Sequence, residues 1–309
     1  MTVNPLVSIA LCTYNGEKFL AKQLDSLLSQ QYENIEIIAV DDCSTDTSWD
    51  ILQTYARMDT RLHIYKNEYN LGHTCNFEKA IKLCTGNYIA LADQDDIWEQ
   101  DKIQILVQSI GDNVMIYHNS DFIDEQDKRI GNSAMASQNR MYDGESSLPV
   151  ILANCIHGHA VLFDSKLKEY LFPFSKNFSH DWAIVFAAFN TGSVKYINSV
   201  LVHYRQHQNS ITDFLERGKK VTLAKKGGNL AWLPVNKDWL NYCLNFKYKK
   251  EPYLIDEACV LFSEVINGKS KFRCFIFMMK YFDLLFYTMG YKRRGFLSKV
   301  NFVRKLCFD

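Results

Sequence analysis

The chain has 309 residues, 47% of them hydrophobic and 14% aromatic, and its 35 Lys and Arg equal its 35 Asp and Glu. That length and apolar content exclude a disordered chain and suit a large globular core in one or two domains. A balanced charge excludes general reliance on a polyanionic partner, so no nucleic acid is expected. In chain order, Val7–Thr13 reads as an apolar, β-rich strand. Residues 17–30 follow as a helix with Phe19, Leu20, Leu24, Leu27 and Leu28 at helical spacing. Residues 35–40 form the continuous apolar run of a buried parallel strand. Ser44 to Thr47 offer N-cap chemistry for a helix carrying Ile51, Leu52 and Tyr55. Residues 62–65 predict a third strand, 76–83 a third helix and 88–92 a fourth strand. The alternation predicts an α/β fold with a mostly parallel central sheet and helices on both faces. Such sheets bind ligands beyond the carboxyl ends of their strands.

Past Lys102 the rhythm changes. Residues 114–119 and 160–163 predict strands, 181–189 a helix, and Val194–Arg205 two short strands. The charged, turn-rich segment 217–229 reads as a flexible connection to a C-terminal region that is aromatic, basic and helical in pattern. From Lys271 onward the only acids are Asp283 and Asp309, set against many Lys and Arg. Phe275, Ile276, Met279, Phe282, Phe286 and Met289 recur there at helical spacing, ahead of Tyr291, Lys292, Arg293 and Arg294. That pattern fits a helix packed on the rest of the chain with a solvated basic end, and it fits equally an interfacial helix on anionic lipid. The apolar stretch 274–291 contains Lys280 and Asp283 and is too interrupted to read as a membrane span. Nine cysteines, an odd number with no C-x-x-C pair, predict neither a disulfide framework nor structural zinc, and with no signal peptide expected they suit the cytoplasm.

Four groups of residues at strand ends could carry chemistry. Thr13, Tyr14 and Asn15 follow the first strand; the Tyr ring could stack on a nucleobase, and the tripeptide alone also reads as a turn. Asp41 and Asp42 close the second strand, where a carboxylate can accept from a base N–H or ribose hydroxyls. Asp93, Asp95 and Asp96 crowd three acids into four positions after the fourth strand. They repel one another unless a cation neutralises them, and Mg or Mn with its hard oxygen ligands fits. Further on, His180, Asp181 and Trp182 open a helix, so Asp181 could be a general base or an N-terminal cap. Arg205 and His207 could bind phosphate and metal, or simply end a strand at the surface. Asn70 to His73 and Asn76 form a loop entering a helix, where free N–H groups suit an anion and a plain turn is the default. His157 and His159, two apart with no third ligand, make a weak metal signal.

Taken in order, VSIALCTYNGEKFLAKQLDSLLSQ, IEIIAVDDCSTD, NLGHTCNFEKAI and GNYIALADQDDIW resemble the family 2 inverting glycosyltransferases of GT-A fold, over about Val7 to Lys102. DQDDIW, with HDWA and YRQH downstream, is most similar to the bacterial rhamnosyltransferase branch, which builds cell-surface polysaccharides. The resemblance implies that Tyr14 and Asp42 hold the nucleobase, Thr13 and Asn15 beside them, with Asp93 near the ribose and Asn76 and Arg205 on the donor side. It implies a divalent metal, Mn or Mg, on Asp95 with His207 as a second contact. Asp181 matches the catalytic base, and Asp96, Trp98, His180 and Trp182 would lie toward the acceptor. The family often has Glu-Asp where this chain has His180-Asp181, which keeps the base and changes its neighbour. The implied partners are a nucleotide-diphosphate sugar such as dTDP-rhamnose, or a UDP-hexose, and a saccharide acceptor that could be lipid-linked. The implied setting is the cytoplasm, on the inner face of the plasma membrane if the C-terminal region docks there. The expected division is a nucleotide-sugar half (1–105), an acceptor half (106–212) and a linker with a helical, basic C-terminal region (213–309).

Rival readings have specific defects. A nucleotidyltransferase needs a glycine-rich phosphate loop with a basic residue after the first strand, where this chain has Tyr14, Asn15, Gly16 and Glu17. A dinucleotide-dependent dehydrogenase needs G-x-G-x-x-G, which is missing. A non-catalytic nucleotide-sugar scaffold would have no use for the full acidic set.

Overall fold

A computed structural model describes residues 4–134, 141–207, 237–288 and 295–308. The connection read at 217–229, Met289 and the basic cluster at 291–294 lie outside the described residues.

Four parallel strands, β1 (Val7–Thr13), β2 (Ile35–Asp41), β3 (Leu62–Lys66) and β4 (Tyr88–Asp93), lie in the order β3-β2-β1-β4. They are joined by α1 (Leu20–Leu28), α2 (Ser48–Met58) and α3 (His73–Leu83). Successive side chains on a strand point to opposite faces, and here both faces are apolar. Ala10, Cys12, Ile38, Val40, Ile89 and Leu91 enter one core, while Ile9, Leu11, Ile37, Ala39, Ala90 and Ala92 enter the other. That is why the sequence shows unbroken apolar runs instead of alternation.

The chain continues through β5 (Ile97–Trp98), α4 (Lys102–Ile110), β6 (Met115–Ile123), β7 (Arg129–Ala134) and α5 (Leu148–Leu152). Then come β8 (Val161–Asp164), α6 (His180–Thr191) and β9 (Val194–Arg205). The sheet extends from β4 through antiparallel β8 to β6, β9 and β5, with β7 on the flank of β6. The expected α/β sheet is present; its second half is mixed. The two short strands expected within Val194–Arg205 are one strand of twelve residues. Its pairing with β6 slips beside Asn119, where Ile197 pairs with His118 but Val200 already pairs with Asn119. A bulge of this kind re-aims a strand without ending it, and polar Asn198 and Ser199 fall in it.

At the C-terminus α7 (Lys237–Asn245), α8 (Pro252–Ile266), α9 (Lys271–Lys280), α10 (Phe282–Leu285) and α11 (Phe296–Phe308) join the core that α3 and α6 form on one face of the sheet. Trp239 is fully buried there and donates its Nε1–H to the carbonyl of Ile151 at 3.0 Å. The helical pattern read through Phe275–Phe286 breaks at Tyr281 (φ −107°, ψ 21°), which lets Phe277 and Met278 on one side and Phe282 and Phe286 on the other turn into the core. No helix among the described residues is long and apolar enough to cross a membrane. All nine cysteines are free.

Candidate active site at the carboxyl ends of the parallel strands

Register brings the strand ends together. Thr13 pairs with Asp41 and Cys12 with Asp93, so the turns after β1, β2 and β4 are neighbours. Two glutamine hydrogen bonds fix the first turn. Tyr14 N donates to Gln94 Oε1 at 2.8 Å, and Gln94 Nε2 donates back to Tyr14 O at 3.0 Å. Gly16 packs against the same side chain so closely that a Cβ there would sit 2.3 Å from Gln94 Oε1. The Tyr14 ring is left exposed at the mouth of the site. Asn15 holds a positive φ of 48° and accepts from Thr45 N at 2.9 Å.

The two acids after β2 divide their work. Asp41 is buried and accepts from Thr13 Oγ1 (3.0 Å), Ser44 Oγ (2.6 Å) and Ser44 N (2.9 Å), so it closes the turn. Asp42 accepts from Asn67 Nδ2 (2.7 Å) and Leu71 N (2.8 Å) on one oxygen and from Gly72 N (2.8 Å) on the other. Gly72 sits at φ +85°, a conformation glycine adopts without strain. Asn76, expected to face an anion, is buried instead. It donates to Val40 O at 2.8 Å and accepts from Asn67 at 2.9 Å, which sews α3 to β2. Thr13 is likewise buried and spent on Asp41, so both support the strand ends from behind.

The acidic run splits three ways. Asp93 Oδ1 lies 3.7 Å from His73 Nε2, and Asp95 Oδ2 lies 2.7 Å from His207 Nε2. Asp96 is fully buried: Oδ1 accepts from Arg205 N at 3.0 Å, and Oδ2 has no hydrogen-bond partner and stands 3.9 Å from His159 Nδ1. Burial pushes the Asp96 carboxyl well up, and the charges of Asp95 and Asp93 add to it. Beneath it, burial pushes the Lys102 ammonium well down against the pull of Asp96. Lys102 donates to His159 O at 2.7 Å and lies over the ring of buried Trp98. Asp96 and Trp98, expected on the acceptor side, are therefore interior groups that no acceptor can touch.

Arg205 also departs from expectation. Its side chain is fully buried, and a buried guanidinium must be paired. It donates from Nε to Asp95 O (2.7 Å) and from Nη1 to Asp124 O (2.6 Å), pairs with Asp127 at 2.6 Å and lies 4.5 Å over the Phe19 ring. A phosphate has no route to it. Its position makes it a brace that fixes the acidic loop against α1 and the β6–β7 turn. Arg205→Ala should cost about 3–5 kcal/mol of stability, the cost of orphaning one partner of a buried pair, measured by urea unfolding. A loss under about 1 kcal/mol, the scale of a surface ion pair, would contradict the brace.

The opposite wall comes from α6. Ser179 precedes the helix and Asp181 lies in its first turn, with Asp181 Oδ1 accepting from Trp182 N at 2.9 Å. Burial raises the Asp181 carboxyl; a hydrogen bond from Ser179 and the imidazoles of His157 and His73 oppose the rise. Burial lowers His157, and the charges of Asp181 and Asp93 oppose that. His180 turns the other way. It is buried and stacks on Phe77 with ring centroids 4.1 Å apart, and its ring nitrogens lack partners, so it packs α6 on α3 and does not meet an acceptor. Trp182 keeps some exposed surface beside Trp239. Gly158 lets the chain pass close to this turn: a Cβ there would lie 3.2 Å from His180 Nε2.

The structure thus brings Tyr14, Asp93, Asp95, His207 and Asp181 to neighbouring strand and helix ends, with His73, His157 and Gln94 among them, whereas Asp42, expected to hold a nucleobase, is buried and its two oxygens are spent on Asn67, Leu71 and Gly72. For a divalent ion, Asp93, Asp96 and His159 have ligand atoms within 4.8 Å of one another. Asp96 in that trio is sealed off and set against Lys102. The converging oxygen of Asp95 and nitrogen of His207, with Asp93 alongside, fit Mn or Mg better, because both groups reach the opening.

Comparison with known proteins shows the family and the fold. The family described as glycosyl transferase family 2 matches residues 8–171. The chain is 29% identical over 208 residues, 67% of its length and 80% of the relative's, to an Escherichia coli UDP-Glc:alpha-D-GlcNAc-diphosphoundecaprenol beta-1,3-glucosyltransferase. Its fold is similar to that of Staphylococcus aureus TarS 1–349 in complex with UDP-GlcNAc (TM-score 0.60, 14% identity, 90% of this chain and 81% of that one). It is also similar to a Pyrobaculum calidifontis mannosyltransferase in complex with GDP-Man and Mn2+ (TM-score 0.53, 14% identity, 99% and 86%).

Proposed function

This chain belongs to glycosyl transferase family 2, and from that premise we propose that it moves a sugar from a nucleotide diphosphate to an acceptor hydroxyl with inversion, in the synthesis of a cell-surface polysaccharide. The observation that carries the reading is the close approach of the α6 N-terminus, which holds Asp181, to the carboxyl end of β4: a Cβ on Gly158 would lie 3.9 Å from Asp181 and 3.7 Å from Leu91, and His73 stands 3.7 Å from Asp93.

In this reading the Tyr14 ring stacks on the base, Asp42 shapes the base pocket through the amides of Leu71 and Gly72, and Asp93 lies toward the ribose. Asp181 accepts the proton of the acceptor hydroxyl as that oxygen bonds to the anomeric carbon. The bond from that carbon to the diphosphate oxygen breaks, and its electron pair leaves with the nucleotide. Asp95 and His207 would hold a divalent cation, which would supply charge neutralisation for the departing diphosphate. Trp182 borders the acceptor. Single displacement needs no covalent sugar–enzyme intermediate.

For the donor, DQDDIW, HDWA and YRQH support dTDP-rhamnose, and the named specificity of the E. coli relative supports a UDP-hexose. That relative's acceptor is a sugar on a polyprenyl diphosphate, and by likeness the acceptor here is a lipid-linked saccharide. Nucleotide sugars and such acceptors meet at the cytoplasmic face of a membrane. Thermal unfolding with dTDP or UDP, each with Mn or with EDTA, separates these readings. The fitting nucleotide at about a hundredfold its Kd should add about 2.7 kcal/mol, and only with metal. No stabilisation by either nucleotide would refute the donor site. Stabilisation without transfer to any lipid-linked saccharide would favour a non-catalytic scaffold.

A further inference from the structure

The outer face of the C-terminal helices combines two features that seldom share a surface. α9 and α11 run antiparallel: Phe275 meets Phe308, Met278 meets Cys307, Phe282 meets Phe302, and Asp283 pairs with Lys299. Their inner faces are already filled, since Cys274, Phe277, Met278, Val303, Leu306 and Cys307 are buried. Apolar side chains nonetheless recur on the outside. Phe272 is 67% exposed, Phe296 73% and Leu297 80%, and Ile276 stands one turn after Phe272. Isolated exposed apolar residues are ordinary, whereas several on one helix pair mark an interaction site.

Charge identifies the occupant. Exposed Arg273, Lys280 and Lys305 lie on the same helices as these apolar groups, and Asp283, the one acid among residues 269–288 and 295–308, already pairs with Lys299. The whole chain has a formal charge of +0, so this cationic face is a local segregation. A second copy presenting the same face would be repelled. An anionic bilayer would be attracted by the cations and would accept the aromatic and aliphatic side chains at its headgroup level.

We infer that the outer face of α9 and α11 docks the protein on a membrane rich in anionic phospholipid. The inference deepens the lipid-linked acceptor reading by bringing the site to the surface where such an acceptor resides. Vesicle binding tests it without any transfer assay, so the two ideas can fail separately.

The test is co-sedimentation of the full chain with phosphatidylglycerol–phosphatidylcholine vesicles and with phosphatidylcholine alone, at low and high salt. Wild type should pellet with the anionic vesicles at low salt and remain in solution with the neutral ones. Arg273→Glu with Lys305→Glu should lower the partition coefficient by about tenfold or more. Phe272→Ser with Leu297→Ser should lower it too, and because all four side chains are exposed, circular dichroism and Tm should match wild type. Wild type left in the supernatant with anionic vesicles would overturn the inference, as would variants that bind like wild type. A dimer in sedimentation velocity that the Phe272/Leu297 variant dissolves would overturn it in favour of self-association.

Discussion

Asp181→Asn should lower kcat by about 10²–10⁴-fold, the usual contribution of a positioned general base, and leave nucleotide affinity unchanged. The amide keeps the size and the Trp182 N contact of the carboxylate but cannot take a proton. The pH profile gives an independent sign. Burial holds the Asp181 carboxyl above its ordinary value, and only the ionised form is a base. Transfer should therefore rise with pH through that raised pKa, with an acid limb above the usual carboxylate range near about 4. In the Asn variant the residual rate should lose this limb. His157 opposes the rise in Asp181 when charged, so His157→Gln should move the limb upward. Calorimetric titration of nucleotide alongside initial rates would check both. Near-wild-type turnover in Asp181→Asn would remove Asp181 from the mechanism.

Asp95→Ala should abolish metal-dependent nucleotide binding and transfer together. Asp95 faces the opening with His207 at 2.7 Å, whereas Asp96 is sealed and Asp93 leans toward His73. Losing a charged group that balances diphosphate in a partly dry site should cost on the order of 10³-fold or more in transfer, on the scale of other preorganised charge stabilisers. His207→Ala should cost less, about 10–100-fold, and should raise the metal concentration needed for half-maximal nucleotide stabilisation. Asp95 keeps its backbone carbonyl on Arg205 Nε, so the Ala variant should fold, and its Tm without nucleotide should stay near wild type. Metal-dependent stabilisation that survives Asp95→Ala would place the ion elsewhere, with Asp93 and His159 the next ligands to remove.

The parallel half was legible because β1, β2 and β4 are buried on both faces and their partners follow within a short span of chain. The apolar runs and the caps between them report the local structure directly. The second half was less so. Val194–Arg205 carries polar residues midway, and nothing local separates a bulge from a break. Site residues were legible by type and strand position, not by burial. Asp95 and Asp96 are neighbours in sequence, yet one reaches the opening and the other is interior, because the backbone of Arg205, far along the chain, takes up Asp96. For the same reason Arg205 looked like a surface cation: Phe19 on one side and Asp124 and Asp127 on the other, which enclose it, come from two distant segments. His73 and His157 carried only weak signals, a loop entering a helix and a pair of histidines two apart, since each gains its meaning from a distant carboxylate.

The pairing of β5 with β9 has a temporal consequence. The acidic loop lies between β4 and β5, and β5 is held by Val202 and His203 of the last strand. A chain emerging from the ribosome can order its parallel strands long before residues 202–205 exist. Until they arrive, the loop lacks both its strand partner and the Arg205 brace. Under the proposed function, the nucleotide side of the site and the acidic loop would thus mature separately, the loop waiting for a contact spanning roughly a third of the protein, the kind of long-range closure that is slowest to form. The acidic loop reaches its final setting only when the sheet is complete.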